Sequence, residues 1–281
     1  MSTINKIVML TMDNKSKCIL NRLMILVLIG CSIQSCKEAL KEASDDKKIE
    51  KITKISNDFI QIFDGRSLEG WHGDPAYWSV VNGVLTGSVT PETPLKTNTF
   101  LVWKDGEPND FELKLNFRIT ESGNSGINYR SEIIDSIPYA LRGYQADIDG
   151  KIRYTGQNYE ERKRATLAYR GEKVIISSQE NANAPGSLQA NVQNNCWQSR
   201  EIVAKLGDSD DLKSKIKFED WNELHLIVKG IHMQHFVNGI LMSDISDEDT
   251  VNQKMQGKLG MQVHVGPPMK VEYKDIRLKN L

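Results

Sequence analysis

The sequence predicts an all-β protein in which residues 59–281 form one sandwich of antiparallel strands. Apolar and polar residues alternate there in short segments that Gly, Asn, Asp and Pro separate, a pattern typical of half-buried strands joined by turns. The clearest segment is 111–119, in which the apolar side chains of one parity are Phe111, Leu113, Leu115, Phe117 and Ile119. Long helical periodicity is missing from this part of the sequence, which favours two packed sheets over a mixed α/β fold.

The first 36 residues resemble a bacterial lipoprotein signal peptide. Arg22 precedes an apolar run, 23–30, that is too short to span a bilayer and fits the core of a signal peptide. Cys31 and Cys36 both lie in lipobox-like contexts, and Cys36 is the predicted lipidation site because charged residues begin directly after it. Translation could begin at Met12, and an ordinary cleaved signal peptide is the alternative.

Residues 37–58 predict a solvated tether, since they are rich in Lys, Glu and Asp and hold too few apolar residues for a core. Signal peptide, lipid anchor and tether together predict a protein held at a membrane of the bacterial cell envelope, in the periplasm or at the outer membrane. With Cys36 lipidated, Cys196 is the free thiol of the folded part, so no disulfide is expected.

The charge balance narrows the choice of partners. The 36 Lys and Arg residues oppose 37 Asp and Glu residues, which gives a net charge of -1. Proteins that bind nucleic acid usually need a basic surface for phosphate contacts. The composition therefore argues against a nucleic-acid partner.

The remaining elements follow along the chain. Segment 168–176 predicts a turn and a strand, whereas 181–195 reads as a polar loop, and this long excursion is a candidate wall of a binding site. Alternating Leu and Val residues predict a strand at 224–228. Asn238 and Gly239 form a type I′ turn pair within a hairpin at 233–242. Val271, Tyr273 and Ile276 belong to a closing strand.

In three segments, 123–133, 143–150 and 260–265, apolar residues alternate with polar residues whose side chains can bind sugars or transfer protons. Their predicted outward residues are Asn128, Arg130, Glu132, Gln145, Asp147, Asp149, Gln262 and His264. If the three strands share a sheet, they present a polyol-binding face with acid–base groups. The alternative is an ordinary solvated sheet face, which also carries polar residues at every second position.

These segments belong to a series of motifs that resembles the bacterial 3-keto-disaccharide hydrolase-like family. The motifs are Ile62-Phe63-Asp64-Gly65 to Gly70-Trp71, Trp78 to Leu85, Asp110 to Leu113, Asn124 to Arg130, Asn238-Gly239, and Gly257 to His264. The resemblance implies a concanavalin A-like jelly-roll β-sandwich from about residue 59 to 281. Many family members carry Gly-Tyr-Glu-x-Gln at the central strand. This chain has Gly143-Tyr144-Gln145-Ala146-Asp147, so its carboxylate has moved by one outward position.

The resemblance also implies a chemistry. A 3-keto group acidifies the C2 proton of a sugar, so a base can start β-elimination of the C1 aglycone, and water can then add. Asp147 and His264 are the expected proton-transfer residues, and Arg130 is the expected oxyanion or hydroxyl donor. The expected substrate-binding residues are Asn124, Gln145, Glu132, Asp149, Gln262 and Glu160. Glu160 comes from the charged run 159–164, which could equally be a solvated face.

Three alternatives stay open at this point. A carbohydrate-binding module of the same fold would bind an oxidised saccharide or glycoside without turnover. Ordinary glycoside hydrolysis would need a carboxyl on each side of the scissile bond. No cofactor is certain, but a divalent cation held by Asp147, Asp149 or Glu132 with His264 is possible.

Overall fold

The computed structural model describes residues 59–179 and 187–281. The expectations for the signal peptide 1–36, the tether 37–58 and lipidation of Cys36 lie outside these residues. From residue 59 onward the chain forms one compact unit. Within the two described ranges, no helix has both the length and the apolar character needed to cross a membrane.

The elements run in the following order. The strands are β1 (Ile60–Gln61), β2 (Trp71–His72), β3 (Trp78–Val81), β4 (Val84–Val89), β5 (Thr99–Trp103), β6 (Phe111–Ile119), β7 (Asn124–Ile133), β8 (Leu141–Asp149), β9 (Asn158–Glu161), β10 (Ala165–Ala168), β11 (Glu172–Ile176), β12 (Arg200–Lys205), β13 (Asn222–Lys229), β14 (His232–Val237), β15 (Ile240–Asp247), β16 (Lys258–Val263) and β17 (Met269–Asn280). The described helices are α1 (Ser187–Asn194) and α2 (Ser209–Lys213).

Two sheets form the layers of the sandwich. The larger, ten-stranded sheet has the order β12-β11-β15-β14-β13-β6-β17-β4-β3, with β1 paired to β17. The smaller, seven-stranded sheet has the order β10-β9-β8-β7-β16-β5-β2. Pairs are antiparallel except for β11 and β15. The predicted all-β class, a concanavalin A-like jelly-roll sandwich, is confirmed.

Alternation along the strands builds the core between the sheets. In β6 every second residue is buried, beginning with Phe111, and the odd residues of β6 pair with the apolar parity of β13. Trp78 is 2% exposed and packs in the same core. The predicted hairpin is confirmed as β14 and β15, and its turn residues Asn238 and Gly239 have the positive φ values, 51° and 77°, of a type I′ turn.

Two local features differ from a simple alternating pattern. The predicted polar loop 181–195 is wrong for Ser187–Asn194, which form α1; the polar sequence hid this helix because it carries no apolar stripe. In β17 the register with β6 shifts between Lys274 and Arg277. This bulge, at which Asp275 has a φ of 53°, explains why Ile276 is buried three residues after Tyr273.

Candidate active site

A polar cleft lies on the face of the seven-stranded sheet that points away from the core. Its volume is about 200 Å³. Clefts that hold drug-sized ligands usually measure about 300–1,000 Å³, so this one suits a smaller group such as a single sugar ring. The lining residues are Asn124, Gln145, Asp147, Tyr154, Gln157, Tyr159, Glu161, Asn195 and His264. The structure therefore brings together four of the expected residues, Asn124, Gln145, Asp147 and His264.

The alternation of neighbouring strands puts these side chains on one face. In β8 the residues Tyr144 and Ala146 pack into the core, so Gln145 and Asp147 point the other way. His264 follows β16 directly, and its main-chain N–H donates to the carbonyl oxygen of Asn124 on β7 at 3.3 Å. The cleft thus spans the outer face from β16 across β7 and β8 to β9.

Asp147 is the best-placed proton-transfer group of the cleft. The amide Nε2 atoms of Gln145 and Gln157 donate to its two carboxylate oxygens at 2.6 and 2.5 Å. Asp147 as a whole is 7% exposed. Burial raises the pKa of Asp147 to about 7; the two amide donors oppose this rise, and the nearby carboxylates of Glu161 and Asp149 add to it. A carboxyl of this kind can hold or release a proton at neutral pH.

Glu161 supplies a second carboxylate to the same cleft. It accepts from Asn98 Nδ2 at 3.1 Å and from Gln262 Nε2 at 3.3 Å. The same Gln262 nitrogen donates to Gln145 Oε1 at 3.1 Å. Gln262 is fully buried and does not line the cleft; it connects the Glu161 carboxylate to the Gln145 amide that holds Asp147.

The position of the Gln145 amide depends on the glycine beneath it. A Cβ atom at Gly126 would lie 2.5 Å from Gln145 Cδ, closer than real contacts allow. Gly126 is the Cα partner of Asp147 across the β7–β8 pair. The Gly126 site therefore lets the Gln145 side chain lie across β7 between Asp147 and Gln262.

His264 and Tyr159 complete the acid–base groups of the cleft. The partly exposed imidazole of His264 donates from Nδ1 to the carbonyl oxygen of Val265 at 2.6 Å, which leaves Nε2 free to exchange a proton. Burial raises the pKa of Tyr159 to about 12, and the charges of Glu161 and Asp147 add to this effect. The Tyr159 phenol therefore keeps its proton, and its hydroxyl has no hydrogen-bond partner within the residues that the structure describes.

The expected position of Arg130 on this face is wrong. Between Tyr129 and Glu132, two residues of β7 oppose one residue of β8, and Arg130 has a φ of 45° at this bulge. The extra residue reverses the alternation. The guanidinium is buried, where it donates to the carbonyl oxygens of Asn109 and Gly230 at 2.8 and 2.7 Å.

Glu132 and Asp149 also lie outside the cleft. Beyond the bulge, the Glu132 carboxylate pairs with Arg142 and Lys254 at 2.7 and 2.5 Å, at the opposite end of β7 from Asn124. Asp149 has the expected parity, but its Oδ1 atom accepts the main-chain N–H groups of Tyr154 and Thr155 at 2.7 and 3.2 Å. Asp149 therefore shapes the loop that follows β8.

Glu160 faces the core rather than the cleft. Its carboxylate binds the buried Arg164, whose Nη2 atom also donates to Asp247 Oδ2 at 2.6 Å. The neighbouring residues Gln157, Tyr159 and Glu161 have the opposite parity and line the cleft. These three residues occupy every second position, which is the sequence signal for a shared face. The signal is weak because the charged run 159–164 has polar residues at both parities.

The expected cation ligands are not assembled. In the described part of the chain, no three His, Cys, Asp or Glu side chains are grouped so that they could hold a metal ion. Asp147 and His264 line the cleft, but Glu132 lies at the far end of β7 and Asp149 is bonded to the main chain. The donor geometry does not favour the divalent-cation site that the sequence left possible.

Most of the chain matches a known protein family. A sequence model of the family described as 3-keto-α-glucoside-1,2-lyase-like domain matches residues 58–279. A 3-keto-disaccharide hydrolase from Bacteroides thetaiotaomicron is 26% identical over 132 residues, which are 39% of this chain and 45% of that protein. The match thus spans about half the length of that relative.

Solved structures with a similar fold are more distant. A Parabacteroides distasonis protein provisionally classed as a glycosyl hydrolase is 16% identical, with 79% of this chain and 99% of that chain covered and a TM-score of 0.49. A carbohydrate-binding module from Bacillus subtilis is 13% identical, with 75% and 96% covered and a TM-score of 0.45. At these values the similarities say nothing about the activity of the cleft.

Proposed function

Because the chain belongs to the carbohydrate-active family of 3-keto-α-glucoside-1,2-lyase-like domains, we propose that it cleaves 3-keto-glycosides, including 3-keto-disaccharides, in the cleft around Asp147. The main support is the buried Asp147 carboxyl, whose pKa of about 7 suits proton exchange at neutral pH. General acid–base catalysis is most efficient when the pKa of the catalytic group lies near the working pH. The small, polar cleft fits one oxidised sugar ring.

The first step is removal of the C2 proton by the Asp147 carboxylate. The electron pair of the C2–H bond forms an enolate with the C3 carbonyl. The enolate then expels the C1 aglycone oxygen, which takes a proton from His264, and a C1–C2 double bond remains. Water adds across this bond, with hydroxyl at C1 and a proton at C2, so the net reaction is hydrolysis.

The developing enolate needs a hydrogen-bond donor, and Tyr159 replaces Arg130 in this role. Its phenol keeps its proton, since its pKa is raised to about 12, and its hydroxyl is available to a ligand. A donor aimed at a developing oxyanion typically contributes about 10²–10³-fold to the rate. Asn124 and Asn195 line the same cleft and are placed to bind sugar hydroxyls.

Ordinary glycoside hydrolysis is the second candidate, and the presence of two carboxylates in one cleft favours it. Acid–base hydrolysis needs one carboxyl that is protonated and one that is ionised. Asp147, with its raised pKa, is the candidate acid, and Glu161 is the second carboxyl in the same cleft. Under this mechanism an unoxidised glycoside is the substrate, which separates the two candidates experimentally.

The decisive experiment compares a 3-keto-glucoside with the matching unoxidised glucoside, using the full-length protein and sugar release as the readout. We expect turnover of the oxidised substrate alone, and a loss of about 10²–10⁴-fold in Asp147→Asn. Glu132→Gln is the matched control, because this carboxylate also lies on β7–β8 but outside the cleft. Equal cleavage of both substrates would instead support the ordinary glycosidase. Binding of the keto sugar without cleavage would support a carbohydrate-binding module.

We also propose that the mature protein is lipid-anchored through Cys36 in the bacterial cell envelope. The support is the sequence Ile33-Gln34-Ser35-Cys36, followed at once by charged residues. Membrane fractionation of Cys36→Ala and Cys31→Ala tests this proposal. We expect release of the Cys36 variant alone; release of the Cys31 variant alone would move the anchor to that residue.

A further inference from the structure

A chain of buried polar contacts links the candidate active site to the opposite sheet. Gln157 holds Asp147 Oδ2 through its side chain at 2.5 Å. Its main-chain carbonyl oxygen accepts the Asp147 N–H at 3.4 Å and contacts Nδ1 of His235 at 3.3 Å. His235 belongs to β14 of the ten-stranded sheet and is fully buried.

The next residue, Asn158, has the opposite parity and is fixed by the same imidazole. Asn158 Nδ2 lies 2.9 Å from the Tyr129 hydroxyl and 3.2 Å from His235 Nε2. The Tyr129 hydroxyl lies 2.9 Å from the same Nε2 atom. All three side chains are fully buried. His235 thus contacts two consecutive residues: the backbone of Gln157, which directly precedes β9, and the side chain of Asn158, the first residue of β9.

The contacts determine the tautomer of His235. A carbonyl oxygen can only accept, so Nδ1 carries the proton and donates to Gln157. Nε2 is then the acceptor for the Tyr129 hydroxyl, which itself accepts from Asn158. Burial lowers the pKa of His235 to about 4, although the contact with Gln157 opposes this shift. The imidazole therefore stays neutral and keeps this donor pattern throughout the neutral pH range.

We propose that His235 is a positioning residue for the cleft, and that it acts by holding the Gln157 peptide so that the Gln157 amide reaches Asp147. A buried imidazole loses its hydrogen bonds to water, and this loss costs free energy unless protein groups replace them. The contacts with Gln157 and Tyr129 provide that replacement. The role of Asp147 in turnover rests on the proposed function. The geometric claim about His235 and Gln157 does not.

The consequence is a change in the titration of Asp147. The Gln157 amide donates to the ionised carboxylate, so its displacement disfavours that form and raises the pKa of Asp147. The titratable groups that face Asp147 are Asp149 on its own strand, Tyr159 and Glu161 on β9, Tyr154 on the preceding loop and His264 after β16. None of them is altered by a substitution at residue 235.

Two amide substitutions separate the contacts of the imidazole. The side-chain nitrogen of His235→Asn can take the position of Nδ1, whereas that of His235→Gln reaches the position of Nε2. We expect His235→Gln to move the midpoint of Asp147 upward by about one pH unit and His235→Asn to leave it close to that of the wild type. Tyr129→Phe, which affects the Nε2 side alone, is the matched control and should lower stability without moving the midpoint.

The measurement is a ¹³C NMR titration of the Asp147 carboxyl in the full-length protein, accompanied by the pH profile of kcat/KM on a 3-keto-glucoside. Gln157→Ala should raise the midpoint as His235→Gln does, and the double variant should show no further rise. Equal shifts in the Asn and Gln variants, or additive shifts in the double variant, would overturn the proposal. If His235→Gln does not fold, His235→Phe replaces it. A wild type without turnover would refute the proposed function and leave the NMR test of His235 intact.

Discussion

Replacing the proton-transfer group by its neutral amide, Asp147→Asn, should make the protein more stable while it removes the proposed activity. The carboxyl is almost fully buried, and burial raises its pKa from its usual 3.8 to about 7. The folded protein thus binds this proton more tightly than the unfolded chain does. Below pH 3.8 the buried carboxyl does not lower the free energy of unfolding of the wild type. This free energy falls as the pH rises from 3.8 to about 7, and above that pH the reduction is complete.

The size of the penalty follows from the shift. A rise from 3.8 to about 7 corresponds to about 4 kcal/mol, since one pH unit is worth about 1.4 kcal/mol. The substitution also has a cost, because the new amide faces the Nε2 donors of Gln145 and Gln157. One or two lost hydrogen bonds would offset the gain by about 1–2 kcal/mol. We therefore expect Asp147→Asn to be more stable than the wild type by about 2–3 kcal/mol above pH 8.

Urea unfolding of both proteins at pH 5 and pH 8.5 measures this effect. The stability difference between variant and wild type should grow by about 2–3 kcal/mol from the lower to the higher pH. Asp149→Asn is the control on the same strand. It weakens an acceptor of two main-chain N–H groups and should destabilise the protein at both pH values. A difference between Asp147→Asn and wild type that stays constant with pH would show that this carboxyl carries no desolvation penalty.

Three further substitutions have distinct expected outcomes. Arg130→Ala should lower the free energy of unfolding, measured in urea, by about 1–3 kcal/mol, because buried carbonyl groups lose their donor. The substitution should leave KM unchanged. A large rise in KM would instead indicate that Arg130 contacts the substrate. Gly126→Ala places a Cβ atom 2.5 Å from Gln145 and should reduce kcat/KM about tenfold or more through displacement of that amide, whereas wild-type kinetics would show that Gln145 can move freely. Tyr159→Phe should lower kcat by about 10²-fold at similar KM, and an unchanged kcat would remove Tyr159 as the enolate donor.

Alternation along the chain was enough to predict the face of the cleft where strands are regular. Gln145 and Asp147 lie where their parity indicates, because the alternating residues Tyr144, Ala146 and Ile148 form the core face of β8. His264 continues the parity of β16 beyond the end of the strand. At these positions a slip of one residue would bury the polar row and expose the apolar one, so the pattern determines the direction.

The errors arose where the pattern has no fixed direction. A single extra residue in β7 turns Arg130 inward. No local sequence signal marks this bulge, because the residue with positive φ is Arg130 itself and not the Gly or Asn that usually occupies such a position. In the charged run 159–164, carboxylates of both parities are present, so the sequence alone does not distinguish Glu160, which faces the core, from Glu161, which lines the cleft. A buried ion pair with Arg164 makes the core-facing carboxylate possible, and that partner is recognisable only in three dimensions.

The altered order of the central strand has a simple geometric meaning. Family members with Gly-Tyr-Glu-x-Gln present a carboxylate and then a carboxamide on the outer face, and this chain presents Gln145 and then Asp147. In this chain the Gln145 amide donates to the Asp147 carboxylate at 2.6 Å, so the amide holds the carboxylate on the outer face. The exchange moves the carboxylate along the strand by two residues, about 6–7 Å. At this position Asp147 lies opposite Gly126 of β7. On its other side, the side-chain amide of Gln157 donates to the carboxylate. Gln157 gives this carboxylate a second donor, which favours the ionised form and opposes the rise in pKa that burial causes.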